Sequence, residues 1–350
     1  MKIDFKSMEG KAKKLYTALW ADFDFDSMNA KIEGTRNSRS HNPSSNSYSF
    51  SGTGDEENCL IDTFAIKDIA RFKEKFAMAV SGSGQERLKI LTLHSSSLCA
   101  LLHFYNLEDT TLILSGLATD KRNRTVRFTR SLFEYKSPVI NNPSNMDVVL
   151  IGKDTETNED IVFFLESKFS EYYTGTGNKL AGISKKYLDE TYFSAPLYKD
   201  DVLSQLGLQK VPGVTSNFAL LSKEDFYIGG IKQMISHYTG IRNVLNGSYY
   251  SETDPKQKEV NDALKNGATA ILGEIVFDRI IGDLELKPGL KCGEIYSQKY
   301  EILADEIGKL IKSENVQRFE ILKKELGYSL FINNNHVIED RIRKFYREKE

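Results

Sequence analysis

Three side chains in the middle of this 350-residue chain have the types and spacing for metal-assisted chemistry: Asp147, Glu166 and Lys168. Asp147 sits in the apolar run Asn145–Gly152, and Glu166 and Lys168 sit near the end of the run Ile161–Phe169. Both runs are rich in β-branched and aromatic residues and are bounded by turn formers, so both read as strands. The polar segment Lys153–Asp160 between them suits a hairpin connection, with its turn near Thr155–Thr157. Side chains alternate along a strand, so Glu166 and Lys168 share a face with Val162 and Phe164. The hairpin then makes Asp147 a cross-strand neighbour of Glu166, roughly 5 Å apart at Cβ. Two carboxylates this close raise each other's pKa unless a cation lies between them. Hard oxygen ligands on a sheet suit Mg²⁺ or Mn²⁺. A lysine beside such a cation can bind a phosphate, or orient and deprotonate a water. The chemistry these residues point to is hydrolysis of a phosphodiester.

The elements that must hold them follow from the flanking sequence. Ser81–Gly84 breaks a helical pattern that runs from Leu60 to Val80, and a second one begins, with Glu86, Ile90, Leu93, Ser97 and Leu101 at helical spacing. Thr111–Leu117 and Thr125–Val139 read as extended segments. Asp225–Leu245 carries a helical period through Ile231, Ile235, Tyr238 and Ile241, and on it Gln233 and His237 share a face. Gly267–Asp278 is a further strand, expected to be the last of the core.

The pattern Asp147…Glu166-Ser167-Lys168, in this order of elements, resembles the active-site signature of the restriction-endonuclease-like, or PD-(D/E)XK, nucleases. Met146 stands before Asp147, and the nearest proline is Pro143, so the written motif is not met at that position. The resemblance implies an α/β fold with an αβββαβ core, a central mixed sheet flanked by helices, over about residues 81–278. It also implies roles. Asp147, Glu166 and the Ser167 carbonyl would bind Mg²⁺ or Mn²⁺. Glu86, on the first core helix, would complete the shell, with Glu134 as the rival third acid. Lys168 would position or deprotonate water, and Gln233 would orient Lys168 or the phosphate. For Glu86 the plainer alternative is a carboxylate that complements a helix N-terminus. For His237 it is a core or surface histidine.

The expected substrate is nucleic acid, with DNA preferred. With Lys+Arg 47 against Asp+Glu 49, the net charge of −2 supplies no global attraction to it, so binding needs a local patch. Lys121, Arg122, Arg124, Arg127 and Arg130 are that patch in the sequence; a solvated hairpin is the plainer reading. The glycines of Gly175–Asn178 suit a lid over the substrate, but no Gly-Lys-Ser/Thr follows, so no P-loop is present. The tyrosines and lysines of Lys179–Asn217 could stack bases, although core packing is the commoner role.

The remaining organisation is an N-terminal helical segment (1–33, with Leu15, Tyr16, Leu19 and Trp20 in phase), a flexible linker (34–58) and a nuclease-like domain (59–350). Within that domain lie an insertion at about 171–224 and a C-terminal helical extension at about 290–350. The linker is so poor in apolar residues that it cannot offset its own ordering entropy. Cys59, Cys99 and Cys292 fit neither a disulfide framework nor a zinc spacing. Met1–Gly10 has no apolar signal region and no run reaches about 18 apolar residues, so a cytoplasmic protein is expected, with no membrane partner. Self-association into a homo-oligomer is left open. A second function class remains in view: a non-catalytic binding or assembly protein on the same scaffold, in which the acids and Lys168 form a structural ion network at a sheet edge.

Overall fold

The structure, a computed structural model, describes residues 12–34, 48–52, 54–82, 86–107, 110–117, 123–139, 143–169, 180–184, 204, 208–211, 217–222, 229–278, 285–287, 290–334 and 338–346. Apolar residues in helical phase give α1 (Ala12–Trp20). Strands β1 (Ile32–Gly34) and β2 (Tyr48–Phe50) pair antiparallel, so the described ends of the expected linker meet, and Phe50 is buried. The helical pattern from Leu60 to Val80 is two helices, α2 (Glu56–Phe64) and α3 (Ile69–Ala79). Ala65 leaves the helical region at φ 52°, and Asp68 restarts it by accepting from the Arg71 N–H at 3.1 Å. The expected helix after Gly84 is also divided, into the single turn α4 (Glu86–Lys89) and α5 (Ser96–Phe104). Ser95 accounts for the break: its hydroxyl caps α5 by accepting from the Leu98 N–H.

Strands β3 (Thr110–Leu114), β4 (Arg124–Ser137), β5 (Ser144–Asp154) and β6 (Asp160–Lys168) then form an antiparallel meander. The stretch expected as an insertion contributes β7 (Leu180–Ser184), β8 (Leu208–Val211) and β9 (Asn217–Ser222), a separate three-stranded sheet. Helix α6 (Gly229–Leu245) follows, then α7 (Pro255–Lys265), which sequence periodicity misses. Strand β10 (Thr269–Val276) runs parallel to β6. Beyond it come β11 (Glu285–Lys287), β12 (Leu290–Lys291) and the long helix α8 (Cys292–Ser313). The apolar piece after that helix is β13 (Phe319–Ile321) and β14 (Leu326–Gly327), both parallel to β10, followed by α9 (Tyr328–Asn334) and α10 (Asp340–Phe345). Strand β10 is therefore not the last of the sheet.

The result is a mixed α/β fold around one seven-stranded sheet of order β13-β10-β6-β5-β4-β3, with β14 beside β10. The sheet curls until its edges meet: Leu117, past β3, bridges Leu322, past β13, and Lys323 N–H donates to Gly116 O at 2.8 Å. Closure removes open strand edges. Two cores lie on opposite faces. On one, Phe163 and Leu165 of β6 pack with α1, α2, α3, α5, α9 and α10. On the other, Val162 and Phe164 pack with α6, α7 and α8. Central strands buried on both faces explain why β6 and β10 read as largely apolar runs. Trp20 stacks on Phe169 and Phe345, tying the helices near both ends of the chain to the residue that follows Lys168. No helix among the described residues is long and apolar enough to cross a membrane.

Candidate active site

The β5–β6 ladder runs from Lys153↔Asp160 to Val148↔Leu165, so the next rung sets Asp147 beside Glu166, as the hairpin predicts. There the strands part. The Ser167 N–H donates to Asp147 Oδ2 at 2.8 Å instead of to β5 backbone. A residue's N–H and C=O share an edge of its strand, so the Ser167 carbonyl faces β5 as well. Its hydroxyl is turned to the opposite face, within 3.1 Å of Ser96 O and 2.6 Å of the Tyr328 hydroxyl.

The same rung extends across neighbouring strands. On β4, Phe133 pairs with Val148 and Tyr135 with Met146, so Glu134 falls level with Asp147 without pairing to it. Glu134 holds φ 53°, a left-handed conformation that an L side chain adopts only under constraint. On β10, Glu274 pairs with Glu166. Four carboxylates thus line up across four strands about 4.8 Å apart. Burial pushes the Asp147 carboxyl well above the usual range, and the charges of Glu166 and Glu134 push it further. Lys168 and the Ser167 N–H oppose this only in part. Burial alone would raise Glu166 too, but Lys168 and His237 outweigh it and hold the group ionised.

The donors to Glu166 come from its own strand and from α6. Oε1 accepts from Lys168 Nζ and from Gln233 Nε2 at 2.7 Å; Oε2 meets His237 Nε2 at 2.8 Å. Lys168 Nζ also donates to Gln233 Oε1 at 2.9 Å, and His237 Nδ1 lies 2.6 Å from Ser144 Oγ. Gln233 and His237 share a face of α6, as their spacing requires. Gly240 on the same helix permits the approach: a Cβ there would lie 2.0 Å from Ser137 Oγ of β4.

In front of this network lies a cavity of about 300 Å³, lined by Glu134, Ser144, Asn145, Asp147, Gln233 and His237, with exposed Lys232 at its rim. Glu166 and Lys168 lie behind its wall, nearly fully buried. Of the residues singled out in the sequence, Asp147, Glu166, Ser167, Lys168 and Gln233 therefore converge, and Glu134 joins them. The side chain of Glu86 lies outside the described residues, as do Lys121 and Arg122. Arg124 is buried in an ion pair with Glu159 at 2.5 Å and with Asp154 at 3.6 Å. Arg130 forks onto Glu259 of α7 at 2.9 and 3.0 Å. Arg127 is exposed. These arginines belong to the far half of β4: Arg124 is ten residues from Glu134, roughly 30 Å at the rise of a strand. Among the described residues, Arg124, Arg127 and Arg130 do not line the cavity. Sequence reading assigned no role to Ser144, Asn145, Lys232 and Glu274. Ser144 and Asn145 adjoin Asp147 and Lys232 adjoins Gln233, but only Glu274, an acid inside an apolar strand, carried a signal of its own.

Among the described residues no three Asp, Glu, His or Cys side chains converge on one metal position. The oxygens that do face the cavity fit a hard cation in kind. The residues that offer them are Asp147, Glu134 and Asn145, whose buried Oδ1 makes no hydrogen bond among the described residues. Glu166 fits less well, because both of its oxygens already accept from the protein. Comparison of the chain with protein-family models, with curated proteins and with solved structures finds no match.

Proposed function

We propose that this chain is a divalent-metal-dependent nuclease of the restriction-endonuclease-like kind, acting on DNA in the cytoplasm. One observation carries the reading: Asp147 and Glu134 line a cavity together with Gln233, which with Glu166 holds buried Lys168. The succession α5, β4–β5–β6, α6 and parallel β10 supports the reading, although β3 precedes β4 in the meander and α7 stands between α6 and β10. Strain at Glu134 supports a functional demand on that acid, since left-handed non-glycine residues gather at working sites.

In this reading Asp147, Glu134 and Asn145 would hold Mg²⁺ or Mn²⁺, with the Ser167 carbonyl directed from β6 to its β5 side. Such a cation, when bound, neutralises phosphate charge and lowers the pKa of water. The protein's own part is positional. Glu166 accepts from Lys168 Nζ and fixes its direction. Gln233 bridges the two, so the ammonium meets an incoming phosphate or water from a fixed direction. His237, backed by Ser144, fixes the second oxygen of Glu166.

A specific observation favours a second reading. Glu166 is fully occupied by Lys168, Gln233 and His237, as a structural ion network in a binding or assembly protein would be. Incubation of supercoiled and linear DNA with Mg²⁺ or Mn²⁺ separates the two. The nuclease reading expects cleavage that Lys168→Ala abolishes while metal binding survives, and that Asp147→Asn loses together with metal binding. Equal cleavage by both variants and wild type, or none by any, would leave the network as structure.

A further inference from the structure

We propose that Tyr250 and Lys136 form a stacking platform for an unpaired nucleobase beside the acidic cavity, making single-stranded or locally unpaired nucleic acid the substrate class. The inference rests on the nuclease reading above and adds what that reading leaves open.

Tyr250 is 48% exposed, one of three large hydrophobic side chains left in solvent among the described residues. Its neighbour explains the orientation. Tyr249 is packed against the core on the α6 side, under Lys265 Nζ at 4.1 Å from its ring centre, and the next residue is directed outward. The segment is fixed. Asn261 Nδ2 donates to Ser251 O at 3.0 Å, and the Asp254 N–H donates to Ser251 Oγ at 3.2 Å. Lys136 Nζ stands 5.7 Å from the Tyr250 ring centre, so one face carries a cation and much of the ring remains open. A ring held this way stacks a base with little further ordering.

The platform adjoins the cavity. Lys136 pairs with Asn145 in the β4–β5 ladder, and Asn145 lines the cavity with Asp147 two residues on. Lys232 of the cavity lining, and Lys136 opposite Asn145 on β4, are two cations near the acids that a phosphate chain could contact. A base inside a duplex stack presents no free face to a single exposed ring, whereas every base of a single strand can.

Fluorescence anisotropy with short labelled single-stranded DNA, single-stranded RNA and blunt duplex, in EDTA to prevent cleavage, tests this. Wild type is expected to bind single strands more tightly than duplex. Tyr250→Ala should weaken single-strand binding about tenfold or more, the loss on removing one base–aromatic stack. Tyr250→Phe should keep it, and Lys136→Gln should flatten its salt dependence. Because Tyr250 is exposed, unchanged melting of Tyr250→Ala distinguishes lost contact from misfolding. If wild type binds nucleic acid and Tyr250→Ala binds equally well, the platform is wrong and the nuclease reading stands. Duplex bound as tightly as single strands overturns the substrate class. No binding of any nucleic acid, either in EDTA or with Ca²⁺ in place of Mg²⁺, removes the nuclease reading, and this inference with it. The DNA and RNA arms decide which polymer is held.

Discussion

Glu166 and Glu274 stand opposite each other in the parallel ladder between β6 and β10, and their carboxyls are driven in opposite directions. Lys168 and His237 overcome the burial of Glu166 and keep it ionised. Glu274 is as deeply buried, and burial lifts its pKa to about 8, while Lys168 and the Tyr296 hydroxyl pull back only partly. One lysine cannot neutralise two acids in a dry site, so one of them stays protonated at neutral pH. The network is balanced by a proton as well as by an amine.

That proton predicts a pH dependence of stability. Below the ordinary glutamate value of 4.5, Glu274 is protonated in both the folded and the unfolded chain, and its contribution is fully present. Between 4.5 and about 8 only the folded state holds the proton, so stability falls as pH rises, by up to about 1.4 kcal/mol per unit. Above about 8 the loss is complete. Glu274→Gln should remove this slope. In urea titrations at several pH values the variant should gain on wild type across that window; parallel curves would mean Glu274 ionises normally.

Asp147 makes the complementary prediction for metal. Its carboxyl is raised by burial and by Glu166 and Glu134, so its charge opposes folding near neutral pH. Asp147→Asn should therefore melt higher than wild type in EDTA. With millimolar Mn²⁺ the order should narrow or reverse, since only wild type gains, by about 2.7 kcal/mol at a hundredfold excess over Kd. The same upward shift in both proteins would place any metal elsewhere.

His237 and Ser144 should behave as one unit. Removing His237 leaves buried Glu166 Oε2 without its donor, a cost of about 1–3 kcal/mol. Ser144→Ala removes only the outer hydrogen bond and should cost less. In a His237→Ala background, Ser144→Ala should cost almost nothing more. Additive losses in chemical denaturation would separate the two residues.

Much of this site was legible in the sequence, and the limits have physical causes. The Asp147 and Glu166 strands announced themselves because β5 and β6 are continuous apolar runs, and one polar hairpin fixes their register. Gln233 followed from helical spacing. Glu134 did not stand out over Glu86, because its place depends on a left-handed backbone that nothing local encodes. Helix α7 was missed because its buried side includes Gln257 and Asn261. These are held by the Lys136 N–H and the Tyr135 hydroxyl, partners more than a hundred residues away. Strands β13 and β14 are too short to show a period. For the basic cluster, charge alone did not say which end of β4 Arg124, Arg127 and Arg130 occupy.

Gly240 tests whether α6 must approach as closely as it does. A methyl group there meets Ser137 Oγ at 2.0 Å and Cβ at 2.8 Å, so Gly240→Ala should cost about 1–3 kcal/mol by overpacking and shift Gln233 and His237 away from Glu166. Ser137→Gly in the same chain should restore most of the stability, and any activity lost with it. Failure of that rescue would mean the glycine serves helix flexibility, not proximity.

Arg124 decides between the two uses of the basic hairpin. Its guanidinium is buried with Asp154 and Glu159, and Asp154 in turn accepts the Glu156 and Thr157 N–H groups that shape the β5–β6 turn. Arg124→Ala would leave a buried carboxylate unpaired, which costs about 3 kcal/mol or more. The residue lies roughly 30 Å of strand from Glu134, so oligonucleotide affinity should be unchanged for the folded fraction. Urea midpoints and anisotropy on one preparation read both quantities. A variant that keeps its midpoint but loses affinity would return the hairpin to the nucleic-acid surface, and would require a substrate long enough to reach from there to Asp147.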